Sequence, residues 1–161
     1  MRDPQFTFVF EVRVEVAPAV PVGVSPEAVA HNPGGAKETL HFVAITGGTV
    51  SGPRISGEVM PGGGDWYVDR AGVAELNARY LLRTSDDAVI DIENRGFWKA
   101  DEATTARLDA GEFVDESEYY YRTSARFRTA APGFEWLTES VVIGLARQEG
   151  STICIRFFTL D

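Results

Sequence analysis

Alternating apolar and polar positions organise most of the chain. In Phe6 to Val16, FTFVFEVRVEV, the residues Phe6, Phe8, Phe10, Val12, Val14 and Val16 fall on one side, with Thr7, Glu11, Arg13 and Glu15 on the other. A period of two describes a strand with one face on a core and one in water. Short runs of the same kind follow at Thr39 to Thr46, Arg54 to Met60, Val73 to Thr84, Ala88 to Asn94, Glu118 to Thr123, Leu137 to Arg147 and Thr152 to Leu160. Turn-forming groups separate them, among them Ser51-Gly52-Pro53, Pro61-Gly62-Gly63-Gly64 and Ser85-Asp86-Asp87. The expected fold is therefore mainly β: a single antiparallel β-barrel of about eight strands, lipocalin-like, in one domain over residues 1–161. One short helix is expected between Ala100 and Gly111, with Asp101 as its N-cap. Ala17 to Ala36 lacks periodicity and holds four prolines and three glycines, so it reads as a long loop, either a lid over the barrel mouth or a passive crossover.

Register predicts which side chains reach the interior. In Val73 to Thr84 the apolar set Ala74, Leu76, Ala78 and Leu82 carries Tyr80 inward; in Ala88 to Asn94 the set Ala88, Ile90 and Ile92 carries Asn94 inward. An amide and a phenol among apolar neighbours suit a pocket with a few orienting polar groups, and equally suit hydrogen-bonded structural residues. The segment Thr46 to Trp66 spends seven glycines and two prolines on 21 residues and ends in Asp65-Trp66. Gly57 there is expected to leave interior volume unfilled. Asp65 against an apolar wall would have a raised pKa suited to acid/base work; the bland reading has it bonded to its own turn. In Glu118 to Thr123, alternation sets Tyr119 with Tyr121 and Tyr120 with Arg122. The second pair would bring a phenol and a fixed cation to one place, where Arg122 could clamp an oxyanion or form an ion pair. Trp136 precedes a strand and would lie at the rim or in the core.

Charge and the remaining residues remove several classes. A net charge of −9 opposes binding to phosphate backbones, so no nucleic-acid partner is expected. No apolar run approaches the roughly 20 residues that span a bilayer, and the start lacks a secretory pattern, which leads to a cytoplasmic expectation with no membrane partner. His31 and His41 have no second ligand at metal spacing, so no metal and no other cofactor is expected. No serine sits in a nucleophile elbow, and Gly62-Gly63-Gly64 lacks the Lys-Ser/Thr of a phosphate loop. Cys154, the single cysteine, reads as a buried small hydrophobe.

The strings ITGGTVSGPRISGEVMPGGGDW (Ile45 to Trp66), ARYLLRTSDDAVIDIENRG (Ala78 to Gly96), YYYRTSARFRT (Tyr119 to Thr129) and FEWLTESVVIGLAR (Phe134 to Arg147) resemble, in order, the signatures of the family called domain of unknown function 3237. The resemblance covers roughly two thirds of the chain. It implies a lipocalin-like or allene-oxide-cyclase-like barrel, often a homodimer, with no general activity. The chain departs from that pattern at Asp86-Asp87, where the family usually has Asp-Gly, and at Thr138, where it commonly has Asn.

Three functions fit these residues. One is a cofactor-independent isomerase, cyclase or dehydratase for a small hydrophobic, cyclic or polyketide-like metabolite. Asp65, Arg122 and Tyr80 would be catalytic, with Trp66, Asn94, Tyr120 and Trp136 shaping the pocket. The second is a non-catalytic carrier barrel. The third is an interaction protein whose interior is filled by Phe6, Phe8, Phe10, Phe42, Tyr80, Tyr120, Phe157 and Trp136.

Overall fold

The computed structural model describes residues 3–24 and 38–161. Among them are β1 (Phe6–Val16), β2 (Val20–Val24), β3 (Glu38–Ser51), β4 (Gly57–Val59), β5 (Gly64–Arg70), β6 (Val73–Thr84), β7 (Val89–Lys99), α1 (Glu102–Asp109), β8 (Tyr120–Arg128), α2 (Trp136–Glu139), β9 (Val142–Glu149) and β10 (Thr152–Leu160). Neighbouring strands run β1-β10-β9-β8-β7-β6-β4-β3, and β3 pairs back onto β1, so the antiparallel sheet closes. Ten strands make eight staves. β4 and β5 occupy one stave between β3 and β6, interrupted at residues 60–63; β1 and β2 lie in line along the other edge of β3.

The expected barrel is the observed fold, with differences that have local causes. A β-bulge shifts the register of β1 between Phe8 and Phe10. An extra residue reverses alternation, so Phe10 enters the core against Phe157 and Phe127 while Phe8 faces out with Phe158. Phe6 is likewise exposed. Val20 to Val24 is a strand on β3, not loop; the rest of the expected loop, 25–37, lies outside the described residues. A second helix, α2, occupies the start of the run expected as Leu137 to Arg147, and the strand begins at Val142. The expected helix forms as α1: the Thr104 N–H donates to Asp101 Oδ1 at 2.7 Å, and Gly111 follows with φ +76°.

Closure depends on close backbone approach. Gly48 has φ +140°, and a Cβ there would overlap the Arg13 carbonyl oxygen of β1. Gly57 also serves packing: its missing Cβ would collide with the Arg83 carbonyl, so the position holds β4 against β6 and opens no interior volume, contrary to the expectation from sequence.

Gly48→Ala should therefore destabilise the barrel by about 3 kcal/mol or more, combining a backbone clash with a conformation that L side chains rarely adopt. Urea unfolding followed by circular dichroism measures this, and a variant within 1 kcal/mol of wild type would contradict the closure argument.

Candidate functional site

Inward residues from adjacent strands form rows across the barrel wall. One runs Asp65, Ala78, Asn94, Ala125, Val142 through direct Cα partners on β5 to β9. The next row toward the α1 end is Leu76, Gly96, Thr123, Gly144, and beyond it lie Ala74, Trp98 and Tyr121. On the other side are Tyr80, Ile92 and Phe127. Alternation on β6, β7 and β8 turns all of these toward the interior, as their burial shows. Asp65 and Asn94 flank Ala78, so the wall between the two polar groups carries only a methyl.

Asp65 is half-buried and takes part in the sheet itself. Pairing of β5 with β6 runs through Asp65↔Ala78 and resumes only at Val68↔Glu75. Beside that gap the Asn77 N–H donates to Asp65 Oδ1 at 2.9 Å. The expected alternative had Asp65 bonded to its own turn; its partner is instead the neighbouring strand. Burial raises the carboxyl pKa to about 6, with the Asn77 hydrogen bond pulling the other way. Near neutrality Asp65 thus exchanges a proton readily, which an acid/base group requires.

Around it stand polar groups that the fold buries without partners. Tyr80 and Asn94 are each 3 % exposed and Thr123 7 %. The Tyr80 hydroxyl, the Asn94 Oδ1 and the Thr123 Oγ1 have no hydrogen-bond partner within the protein. Such atoms cost about 1–3 kcal/mol each when left unpaired. Burial and the Asp65 charge push the Tyr80 phenol upward in pKa, and burial, Asp65 and Tyr80 do the same to Tyr121. Both phenols stay protonated and able to donate. The site therefore combines one proton-exchanging carboxyl, two phenolic donors, an amide and a hydroxyl, an assembly that can move a proton and hydrogen-bond a developing oxyanion.

The structure brings Asp65, Tyr80 and Asn94 together and separates the other candidates from them. Tyr120 and Arg122 lie on the outer face of β8, because Tyr121, Thr123, Ala125 and Phe127 are the buried set. Arg122 and Asp65 thus share no compartment, which corrects the expected catalytic pairing. Trp66 is 50 % exposed on the outside and stacks on Phe42, with ring centroids 4.3 Å apart. Trp136 belongs to α2, its ring under the Arg54 guanidinium at 3.7 Å. Of the eight aromatics expected inside, Phe10, Tyr80 and Phe157 are buried in the core, while Phe6, Phe8 and Tyr120 face out. Sequence reasoning missed Tyr121, Thr123, Tyr67 and His41. Tyr67 packs on the core side and His41 stacks against it at 4.6 Å. The missed signal was the parity of Arg126 and Arg128, which share a face with Arg122 and mark it as the water side.

Cys154 offers no competing chemistry. It is fully buried between its cross-strand partners Arg13 and Arg147, and burial pushes its thiol up to about 11. Among the described residues no group of three His, Cys, Asp or Glu is placed to hold a metal ion, and no helix is long and apolar enough to cross a membrane.

The Asp65 shift has a thermodynamic signature. Its folded pKa, about 6, lies above the ordinary carboxylate value, so between roughly pH 4 and 6 the folded state binds more protons than the unfolded one. Stability is then lost as pH rises through that window. Asp65→Asn keeps an oxygen for the Asn77 N–H and removes the buried charge, so it should stabilise the protein by on the order of 2 kcal/mol at pH 7.5. The gain should shrink to near zero by pH 4. Thermal melts of both proteins across pH 4–8 check this; a constant difference would refute it.

A model of the family described as "Protein of unknown function (DUF3237)" matches residues 4–160. A UPF0311 protein of Clostridium acetobutylicum is 34% identical over 121 residues, spanning 74% of this chain and 77% of that one. A UPF0311 protein of Rhodopseudomonas palustris strain TIE-1 is 37% identical over 115 residues, spanning 71% and 75%. Among solved structures, a conserved protein of unknown function from Rhodopseudomonas palustris superimposes with a TM-score of 0.85 at 26% identity, covering 100% of this chain and 99% of its own. A beta-barrel like protein from Acinetobacter baumannii gives 0.81 at 29%, covering 100% and 98%. A protein from Penicillium herquei described as an enzyme gives 0.69 at 19%, covering 100% and 97%, a likeness of fold alone. With nearly its whole length matched and its barrel shared, the chain belongs to the DUF3237 family.

Proposed function

We propose that this chain is a cofactor-independent enzyme that isomerises, cyclises or dehydrates a small, mainly apolar metabolite inside the barrel. The observation that carries this reading is a carboxyl with a pKa of about 6 standing among three partnerless buried polar atoms on adjacent strands. A ligand oxygen or hydroxyl placed between these strands would satisfy them. In this reading Asp65 takes or returns the proton. Tyr80 and Tyr121 donate to the oxygen on which negative charge develops, and Asn94 and Thr123 orient the ligand. Arg122 has no part, because it stands outside the wall. The apolar ring of Leu76, Ile92, Phe127 and Phe157 excludes water and strengthens those hydrogen bonds.

Incubation of the protein with a panel of small cyclic and polyketide-like metabolites, read by mass spectrometry, tests the proposal. Turnover is expected, with kcat/KM rising through about pH 6 if Asp65 acts as base and falling if it acts as acid. Asp65→Asn should lower the rate by roughly 100-fold or more and abolish that inflection, and Tyr80→Phe by roughly 10- to 1,000-fold, with both variants still folded. Ligand binding without turnover across the panel would overturn the catalytic reading and leave a carrier.

A further inference from the structure

A depression lies on the outside of the same wall, over β6 to β9. It is open to solvent and measures about 640 Å³, with Phe97, Tyr120, Arg122 and Ile143 among its lining residues. Past Tyr120 and Arg122 it continues into a depression that Lys99 lines together with Asp101, Glu102 and Glu118. Its size is that of ordinary small-molecule sites.

Most cations of the outer wall are paired. Arg13, Arg79, Arg95, Arg128 and Arg147 on the outer wall each meet a carboxylate. Among the described residues Arg122 and Lys99 form no such bridge, and neither do Arg126 and Arg156, although the chain carries a net charge of −9. Arg122 is half-buried; one guanidinium N–H donates to the Tyr121 carbonyl at 2.9 Å, and the group lies 5.4 Å from the centroid of the Tyr120 ring. The Lys99 ammonium lies 5.6 Å from the same ring. Two cations outside any salt bridge thus lie beside one aromatic ring, and Phe97, half-exposed on the strand beside Arg122, adds a second ring. Of the carboxylates along the groove and its continuation, Glu75 is held by Arg70 at 2.8 Å, Glu118 by Arg107 at 2.6 Å and Asp101 by the start of α1, and with Glu102 they would still repel a dianion. That selects a singly charged ligand over a phosphate.

We propose that this outer groove binds an organic monocarboxylate with a flat apolar body, its carboxylate between Arg122 and Lys99 and its body on Tyr120 and Phe97. Charge-assisted hydrogen bonds fix the acid, and apolar contact holds the remainder. The site is separate from the barrel interior and does not depend on catalysis there.

2-Naphthoate is the probe, followed by calorimetry and by backbone amide shifts in NMR. Shifts are expected to centre on Phe97, Tyr120, Arg122 and Ile143. Arg122→Met should weaken binding at least tenfold and Lys99→Met about three- to tenfold, with melting temperatures near wild type. Neutral 2-naphthol should bind at least tenfold more weakly, and inorganic phosphate should not compete at equal concentration. Shifts centred on Asp65, Tyr80, Asn94 and Thr123, unaltered affinity in Arg122→Met, equal affinity for 2-naphthol, or no binding at 10 mM would each overturn the proposal. Should Arg122→Met fail to fold, the Lys99→Met affinity and the shift map decide the matter.

Discussion

Closure of the sheet through β3 is the constraint on which the rest of this molecule depends. Fourteen residues of one strand serve β1 and β2 along one edge and β4 and β5 along the other. Wherever the ladder is complete, backbone polar groups are satisfied within the wall, and the interior can be dry. Burial within that wall is what raises the Asp65 carboxyl and encloses three polar atoms that no protein group satisfies. An open sheet of the same sequence would hydrate both, and no chemistry would follow from the residues alone.

Strand periodicity made the fold legible because most staves have one apolar face. β6 and β7 alternate cleanly, so Tyr80 and Asn94 could be turned inward from the sequence. Alternation failed where the pattern has a local fault or a double meaning. The bulge in β1 puts one extra residue into a run that otherwise reads as continuous, and hydrophobicity cannot reveal it, since Phe8 and Phe10 are the same residue type. On β8 both parities begin with tyrosine, and a cation beside Tyr120 attracted a catalytic reading that the buried set Tyr121, Thr123, Ala125 and Phe127 does not support.

The strand hardest to see was β5, and the reason is physical. Its inward positions are Asp65, Tyr67 and Asp69, while Trp66 points to water, so the usual pattern is inverted. A strand that carries a site puts polar groups where a core-forming strand puts aliphatic ones, and it thereby loses the signal by which strands are recognised. The Gly-rich approach to Asp65 was visible as composition, but its role was not. Gly57 and Gly63 allow β4 and β5 to lie against β6, where a Cβ would strike Arg83 in one case and Tyr80 in the other.

The hydrogen bond from the Asn77 amide to the Asp65 carboxylate joins aim to architecture. Most functional side chains are held by the packing of neighbouring side chains, and a changed neighbour can redirect them. Here the backbone of β6 does the holding, so the direction of the carboxylate is as heritable as the sheet. The charge is thus set by the strand ladder, while the size of the side chains at the inward alanines 78 and 125 sets the space before it.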